Sequence, residues 1–263
     1  MQLTAITSDF TTKNWKRSPN YLFAAKSNVL PVVVSELARL VPAMPLGFVK
    51  DGDVFKFVAI TSLQHNTNLF VAPDGSWIVD YIPAVIRSYP FHLVKPQDRE
   101  DLVLCFDTDS GLLCEVGEGE PFYDGDEPSQ LVKMALNLLS ETETSRVVTQ
   151  RFVNALQETE LIQPWPLNIQ EGEKTTKVEG LYRIDETALN ALPDEDFLTL
   201  RKSGALGLAY GQLLSTNQLS VLSKAAQVQT KIKEQVQALA ASQAQNLSDT
   251  GFRMSSSDDT FKF

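Results

Sequence analysis

Between Tyr81 and Phe91 the chain reads YIPAVIRSYPF, which sets Arg87 among Tyr81, Tyr89 and two prolines, with Trp77 just upstream and His92 directly after. Arginine offers a planar fork of N–H donors that meets a carboxylate with two parallel hydrogen bonds, and aromatic rings commonly wall small-molecule pockets. Arg87, Trp77, Tyr81, Tyr89 and His92 are therefore the candidate ligand-binding residues. The competing reading is structural, and the residues favour it: Arg87 pairs with a nearby Asp or caps backbone carbonyls, and the rings are ordinary core.

Other chemistry has few parts to draw on. Two histidines, His65 in the polar stretch SLQHNTN and His92, leave little for a triad or a multi-histidine metal site. Neither common phosphate-binding glycine pattern occurs, and there is no GxSxG elbow and no HExxH helix. The stretch DTDSGLLCEVGE places Asp107, Asp109 and Glu118 like three ligands of a calcium loop, but Leu112 stands where the sharp turn needs glycine. It reads as a turn followed by an acidic loop. Carboxylates between Asp98 and Glu127 supply no located pair for acid–base work. No metal and no cofactor is expected. Cys105 and Cys114 face each other if LVLCFD and GLLCEV form a hairpin; two free thiols are the favoured state.

Composition narrows the class. A chain of 263 residues, 43% hydrophobic, is long enough to bury one large core or two smaller ones. A net charge of -10 argues against a nucleic-acid partner, which requires clustered basic residues. No run of about 18 uncharged apolar residues suggests a transmembrane helix, and the first twenty residues lack the pattern of a secretory signal. The expected location is cytoplasmic, with the cell surface by a signal-independent route as the alternative.

The elements that must position these residues read as α+β, an antiparallel sheet with short helices first and a mainly helical second half with one further hairpin. MQLTAIT and NYLFAAKSN read as extended, and a helix is predicted from Pro31 to Pro42 on the spacing of Val33, Val34, Leu37 and Leu40. Asp51-Gly52 and Pro73-Asp74-Gly75 mark hairpins. Pro83 opens a short helix whose apolar side is Ile82, Val85, Ile86 and Tyr89, ended by Pro90. The acidic EVGEGEPFYDGDEP reads as loop and not core. One long or bent helix follows, with a polar waist at ETETSR, then a hairpin around Glu171-Gly172 and helices started by Asp185 and stopped by Gly204. The boundaries are 1–127 for the β-rich region, 128–216 for the helical region with its hairpin, 217–246 for a Gln/Ala-rich helix projecting from or lying along the body, and 247–263 for a disordered tail.

The ordered strings NLFVAPDGSWIVDYIPAVIRSYPF, LVLCFD, EGEPFYDGDEPS and GLYRIDETALNALPDEDFLTLRKSGALGLAYGQLLS resemble the SapC family of bacterial proteins over about residues 10 to 223. An unrelated peptide-transporter permease shares that name and needs membrane spans that this sequence lacks. The resemblance implies a link by name to bacterial surface layers, and gene neighbourhoods with tryptophan halogenases, cupin-like oxygenases and TonB-dependent receptors. It brings no catalytic residues. The expected function is that of a non-enzymatic accessory or binding protein serving a surface-layer, outer-membrane uptake or modifying-enzyme system. The alternative is a small-molecule binder or enzyme with a pocket near Tyr81–Phe91. A protein partner is expected, with Phe261 and Phe263 of DDTFKF as candidate docking residues and self-association through 217–246 as a further option.

Overall fold

A left-handed turn at Gly52 (φ 59°) joins Leu46–Asp51 to Val54–Ile60, the hairpin that Asp51-Gly52 predicts. The computed structural model describes residues 1–96, 101–171 and 174–249. This hairpin is the middle of a five-stranded antiparallel sheet in the order Ile162–Pro164, Leu181–Ile184, Leu46–Asp51, Val54–Ile60, Val29–Pro31. The fold is α+β. Its principal helices are α1 (Leu37–Leu40), α2 (Ala84–Arg87), α3 (Gln130–Glu158), α4 (Glu186–Asn190), α5 (Asp194–Ser203), α6 (Ala205–Ser215) and α7 (Leu219–Asp249).

The larger core lies against this sheet and draws residues from both sides of residue 127. Leu46, Phe48, Ala59 and Ile60 from the sheet are fully buried with Leu40 of α1, Val153 and Leu156 of α3, and Leu208 and Ala209 of α6. Gln212 of α6 fastens the two halves together. It is fully buried, accepts from the Ile184 N–H at 2.9 Å and donates to the Leu46 carbonyl at 3.0 Å, so it satisfies backbone groups on neighbouring strands. A smaller core of Phe10, Trp15, Phe91, Phe106, Phe122 and Val132 sits under two three-stranded sheets. The helix α3 serves both cores, Val132 near its start and Val153 and Leu156 near its end.

Several sequence expectations need correction, each for a physical reason. Pro31 does not open a helix: it sits in the edge strand Val29–Pro31, where its missing N–H costs no ladder bond. The helical spacing downstream yields only a 3-10 turn, Val34–Glu36, and the single turn α1. NYLFAAKSN is not extended, because the Asn20 side chain accepts from the Leu22 N–H and starts the 3-10 turn Leu22–Ala24. The Pro73–Gly75 reversal forms, but it closes one isolated bridge, Val71 to Trp77, and no ladder. LVLCFD and GLLCEV do not pair with each other. Val103–Asp107 lies between Leu3–Ala5 and Phe91–Val94, whereas Leu113–Glu115 pairs with Lys13–Trp15. Cys105 and Cys114 consequently belong to different sheets and are free thiols.

The acidic loop also holds core. Short strands Glu120–Pro121, Tyr123–Asp124 and Glu127–Pro128 flank a fully buried Phe122. In the second half, Ile162–Pro164 and Leu181–Ile184 join the main sheet in addition to the predicted hairpin, Leu167–Glu171 with Lys174–Val178. That hairpin's turn residue Gly172 lies outside the described residues, as do Asp98, Phe261 and Phe263 and the side chains of Val236 and Leu239. The first turns of α7 lie along the body: Leu222 and Ala225 are buried, and the buried Gln229 Nε2 is within hydrogen-bonding distance of the carbonyls of Asn68, Leu69 and Val71. No helix among the described residues is long and apolar enough to cross a membrane.

Candidate functional site

Two hydroxyls of α3, Ser145 in the polar waist and Thr149 one turn beyond it, set up the site. Ser145 and Thr149 are buried, and their hydroxyls accept from the Ser35 and Val34 N–H groups, so they cap the otherwise unsatisfied start of the Val34–Glu36 turn. That cap fixes Glu36, whose carboxylate is buried beside α2. Glu36 Oε1 accepts from the Tyr81 hydroxyl and from the Ala84 N–H, both at 2.7 Å. It thereby caps α2 in place of the preceding Pro83, whose side chain makes no such bond. Burial and the bond to Glu36 push the Tyr81 phenol above its ordinary value, so it stays a donor.

Arg87 closes the last turn of α2. Its Nε donates to the Ile82 carbonyl at 3.0 Å, one Nη lies 3.4 Å from the Tyr81 hydroxyl, and the same nitrogen is 3.8 Å from Glu36 Oε1. The guanidinium is thus steadied on one flank while its side chain stays 40% exposed. The expected apolar side of α2 is partly different: Ala84 and Ile86 are buried, whereas Val85 faces out.

Arg87 opens onto a cleft of about 510 Å³ between the two cores. One wall is aromatic, with Phe23 and Tyr89 stacked at 3.8 Å and 11°, and Trp15 and Phe91 meeting edge to face at 4.7 Å. Leu131, Met134, Ala135 and Leu138 of α3 line the cleft as well. Arg17 stands at the mouth, exposed and without a hydrogen bond or ion pair among the described residues. No Asp, Glu, His or Cys belongs to the described lining. A second hollow of about 390 Å³, between α7 and the 167–178 hairpin, has no charged side chain in its described lining.

Of the candidates named from sequence, the cleft brings together Arg87 and Tyr89. Trp77 and Tyr81 stand behind it. Trp77 packs on Tyr21 and Phe70 and donates its indole N–H to the Tyr81 carbonyl, and Tyr81 is held by Glu36. His92 is not in the lining; it alternates with Phe91 along Phe91–Val94 and pairs across to Cys105. Its Nε2 is buried without a partner, and burial pushes its pKa below the ordinary 6.5 while Asp107 opposes the shift. Between the depressed folded value and the ordinary one, the unfolded chain binds more protons. Stability should therefore fall as pH drops through about 6.5. Denaturant titrations across that range should show a shallower pH slope for His92→Gln than for the wild type. Equal slopes would mean that His92 does not contribute.

The residues missed from sequence are Glu36, Arg17, Phe23 and Trp15. Glu36 carried one signal, an acid within the apolar run VVVSELARLV, yet its partner Tyr81 lies far along the chain. His65 is exposed. Asp107 accepts from the Gln2 and Asp109 N–H groups and caps the 3-10 turn Thr108–Ser110, and no group of three or more His, Cys, Asp or Glu fit to hold a metal occurs among the described residues. No curated protein and no solved structure matches the chain. The family model described as SapC matches residues 7–222, which takes in nearly all of both cores and every described lining residue of the cleft, and the chain belongs to the SapC family.

Proposed function

We propose that the protein is a non-enzymatic binding protein, accessory to a bacterial surface-layer, outer-membrane uptake or modifying-enzyme system, and that the cleft at Arg87 is its binding element. One observation carries this reading: a concave, mostly apolar cleft whose described lining holds two arginines and no Asp, Glu, His, Cys or Lys. Such a lining holds and orients a ligand, since apolar walls supply burial and a few polar groups supply direction. Of the hydroxyls in the lining, Ser18 is taken up by the Asn20 carbonyl and the Tyr89 phenol is held above its ordinary pKa by burial, so neither is activated as a base or nucleophile.

The four methionines make the test direct. Met134 lines the cleft and Met44 is fully buried in the larger core, so isotope-labelled methionine methyl groups give one reporter at the site and one control. Small-molecule fragments screened against the full chain should move the Met134 methyl signal and leave Met44 in place. Fragments that bind only elsewhere would reject the cleft as the binding element.

A further inference from the structure

The charges around the cleft run against those of the whole chain. The protein carries a net charge of -10, yet the charged side chains of the cleft's described lining are Arg17 and Arg87. Glu36 offsets part of Arg87 from behind, through a 3.8 Å approach that is too long for a hydrogen bond. The two guanidiniums stand against the partial offset from Glu36 and, on the Tyr89 side, the nearby carboxylate of Asp107, a balance that suits a monoanion better than a dianionic phosphate. The Arg87 fork retains N–H donors that the fold does not use, because its hydrogen bonds to the Ile82 carbonyl and the Tyr81 hydroxyl take one from Nε and one from Nη2. The parallel Phe23–Tyr89 pair and the aliphatic side chains of α3 line the same cleft.

We propose that the cleft takes an organic monocarboxylate with a flat apolar body, its head group held between Arg87 and Arg17 and its body lying against the Phe23–Tyr89 pair and the Met134 side of α3. This rests on the reading of the cleft as the binding element. Arg87 supplies direction, because it is anchored on its far flank. Arg17 supplies charge and closes on the head group from the mouth. A carboxylate brings a full negative charge and two acceptor oxygens to the two guanidiniums, where a neutral amide of the same shape brings one acceptor oxygen and no charge.

The test titrates the full chain with naphthylacetate, naphthylacetamide and naphthyl phosphate, read at the Met134 methyl. Naphthylacetate should bind at least about tenfold more tightly than the amide. Arg17→Gln should remove most of that ratio without changing the fold, since Arg17 makes no hydrogen bond or ion pair among the described residues. Equal binding of acid and amide at Met134 would overturn the carboxylate assignment and leave the binding reading standing. Tighter binding of naphthyl phosphate than of naphthylacetate would overturn the monoanion assignment. An unchanged ratio in Arg17→Gln would overturn the two-arginine grip. No movement of Met134 with any probe at millimolar concentration would overturn the inference, and the fragment screen would then decide whether the binding reading falls with it.

Discussion

Phe122→Ala should lower the free energy of unfolding by about 3–5 kcal/mol, the range for truncating a large buried ring. Phe122 is fully buried although it lies in one of the most acidic stretches of the chain. Its ring meets Phe10 at 4.8 Å and Phe106 at 5.1 Å, both edge to face, with Trp15 and Phe91 just beyond 6 Å. Removing it takes away the partner common to four rings, and each good ring pair adds about 0.5–1.5 kcal/mol to area burial. The backbone here has little room to collapse into the void. Phe122 O accepts from the Ser129 N–H that begins α3, and a Cβ at Gly119 would come within 2.4 Å of the Trp15 carbonyl. Phe122→Leu, which retains most of the volume, should cost less than half as much. Denaturant unfolding followed by near-ultraviolet circular dichroism measures both. A loss under about 1 kcal/mol for the alanine variant would mean that the smaller core is not a packed unit.

The acidic stretch shows why some of the fold was legible in the sequence and some was not. Features fixed by neighbours along the chain could be read: the Gly52 turn, the Leu167–Val178 hairpin, the Asp185 cap of α4 and the Gly204 stop of α5 each depend on residues within a few positions. Features fixed by distant partners could not. Val103–Asp107 and Leu113–Glu115 look like a hairpin because they are close in sequence, but their partners Leu3–Ala5 and Lys13–Trp15 lie about a hundred residues away. Phe122 appears stranded among acids because local composition does not register that Phe10, Trp15 and Phe106 surround it. The candidate site divides in the same way. Arg87 and Tyr89 were visible as a cation among rings. The lining from α3 and the second arginine, Arg17, required the tertiary fold. The polar waist of α3 was visible as a pattern, but the capping of the turn that carries Glu36 by its Ser145 and by Thr149 beyond it was not.

Glu36→Ala should cost about 3 kcal/mol, and the way that cost divides among neighbouring variants tests how Arg87 is held. The carboxylate is buried, and one of its oxygens receives two 2.7 Å bonds, from the Tyr81 hydroxyl and the Ala84 N–H. Alanine leaves both donors without that acceptor, and a buried unsatisfied donor costs about 1–3 kcal/mol. Arg87 contributes much less, because its approach is 3.8 Å and its side chain is 40% exposed, where ion pairs are worth about 0–1 kcal/mol. Glu36→Gln retains an acceptor oxygen at the same place and should cost about 1 kcal/mol. Arg87→Ala should also cost about 1 kcal/mol, from the Ile82 carbonyl bond and the weak pair together. In a double-mutant cycle, Glu36→Ala with Arg87→Ala should show a coupling under about 1 kcal/mol. The opposite ranking, with Arg87→Ala as costly as Glu36→Ala and a coupling of several kcal/mol, would mean that the guanidinium is consumed by the fold. The expected ranking means that Glu36 serves Tyr81 and α2 first. Arg87 is then positioned by its surroundings without being neutralised by them, which is the condition for a cation that meets a ligand.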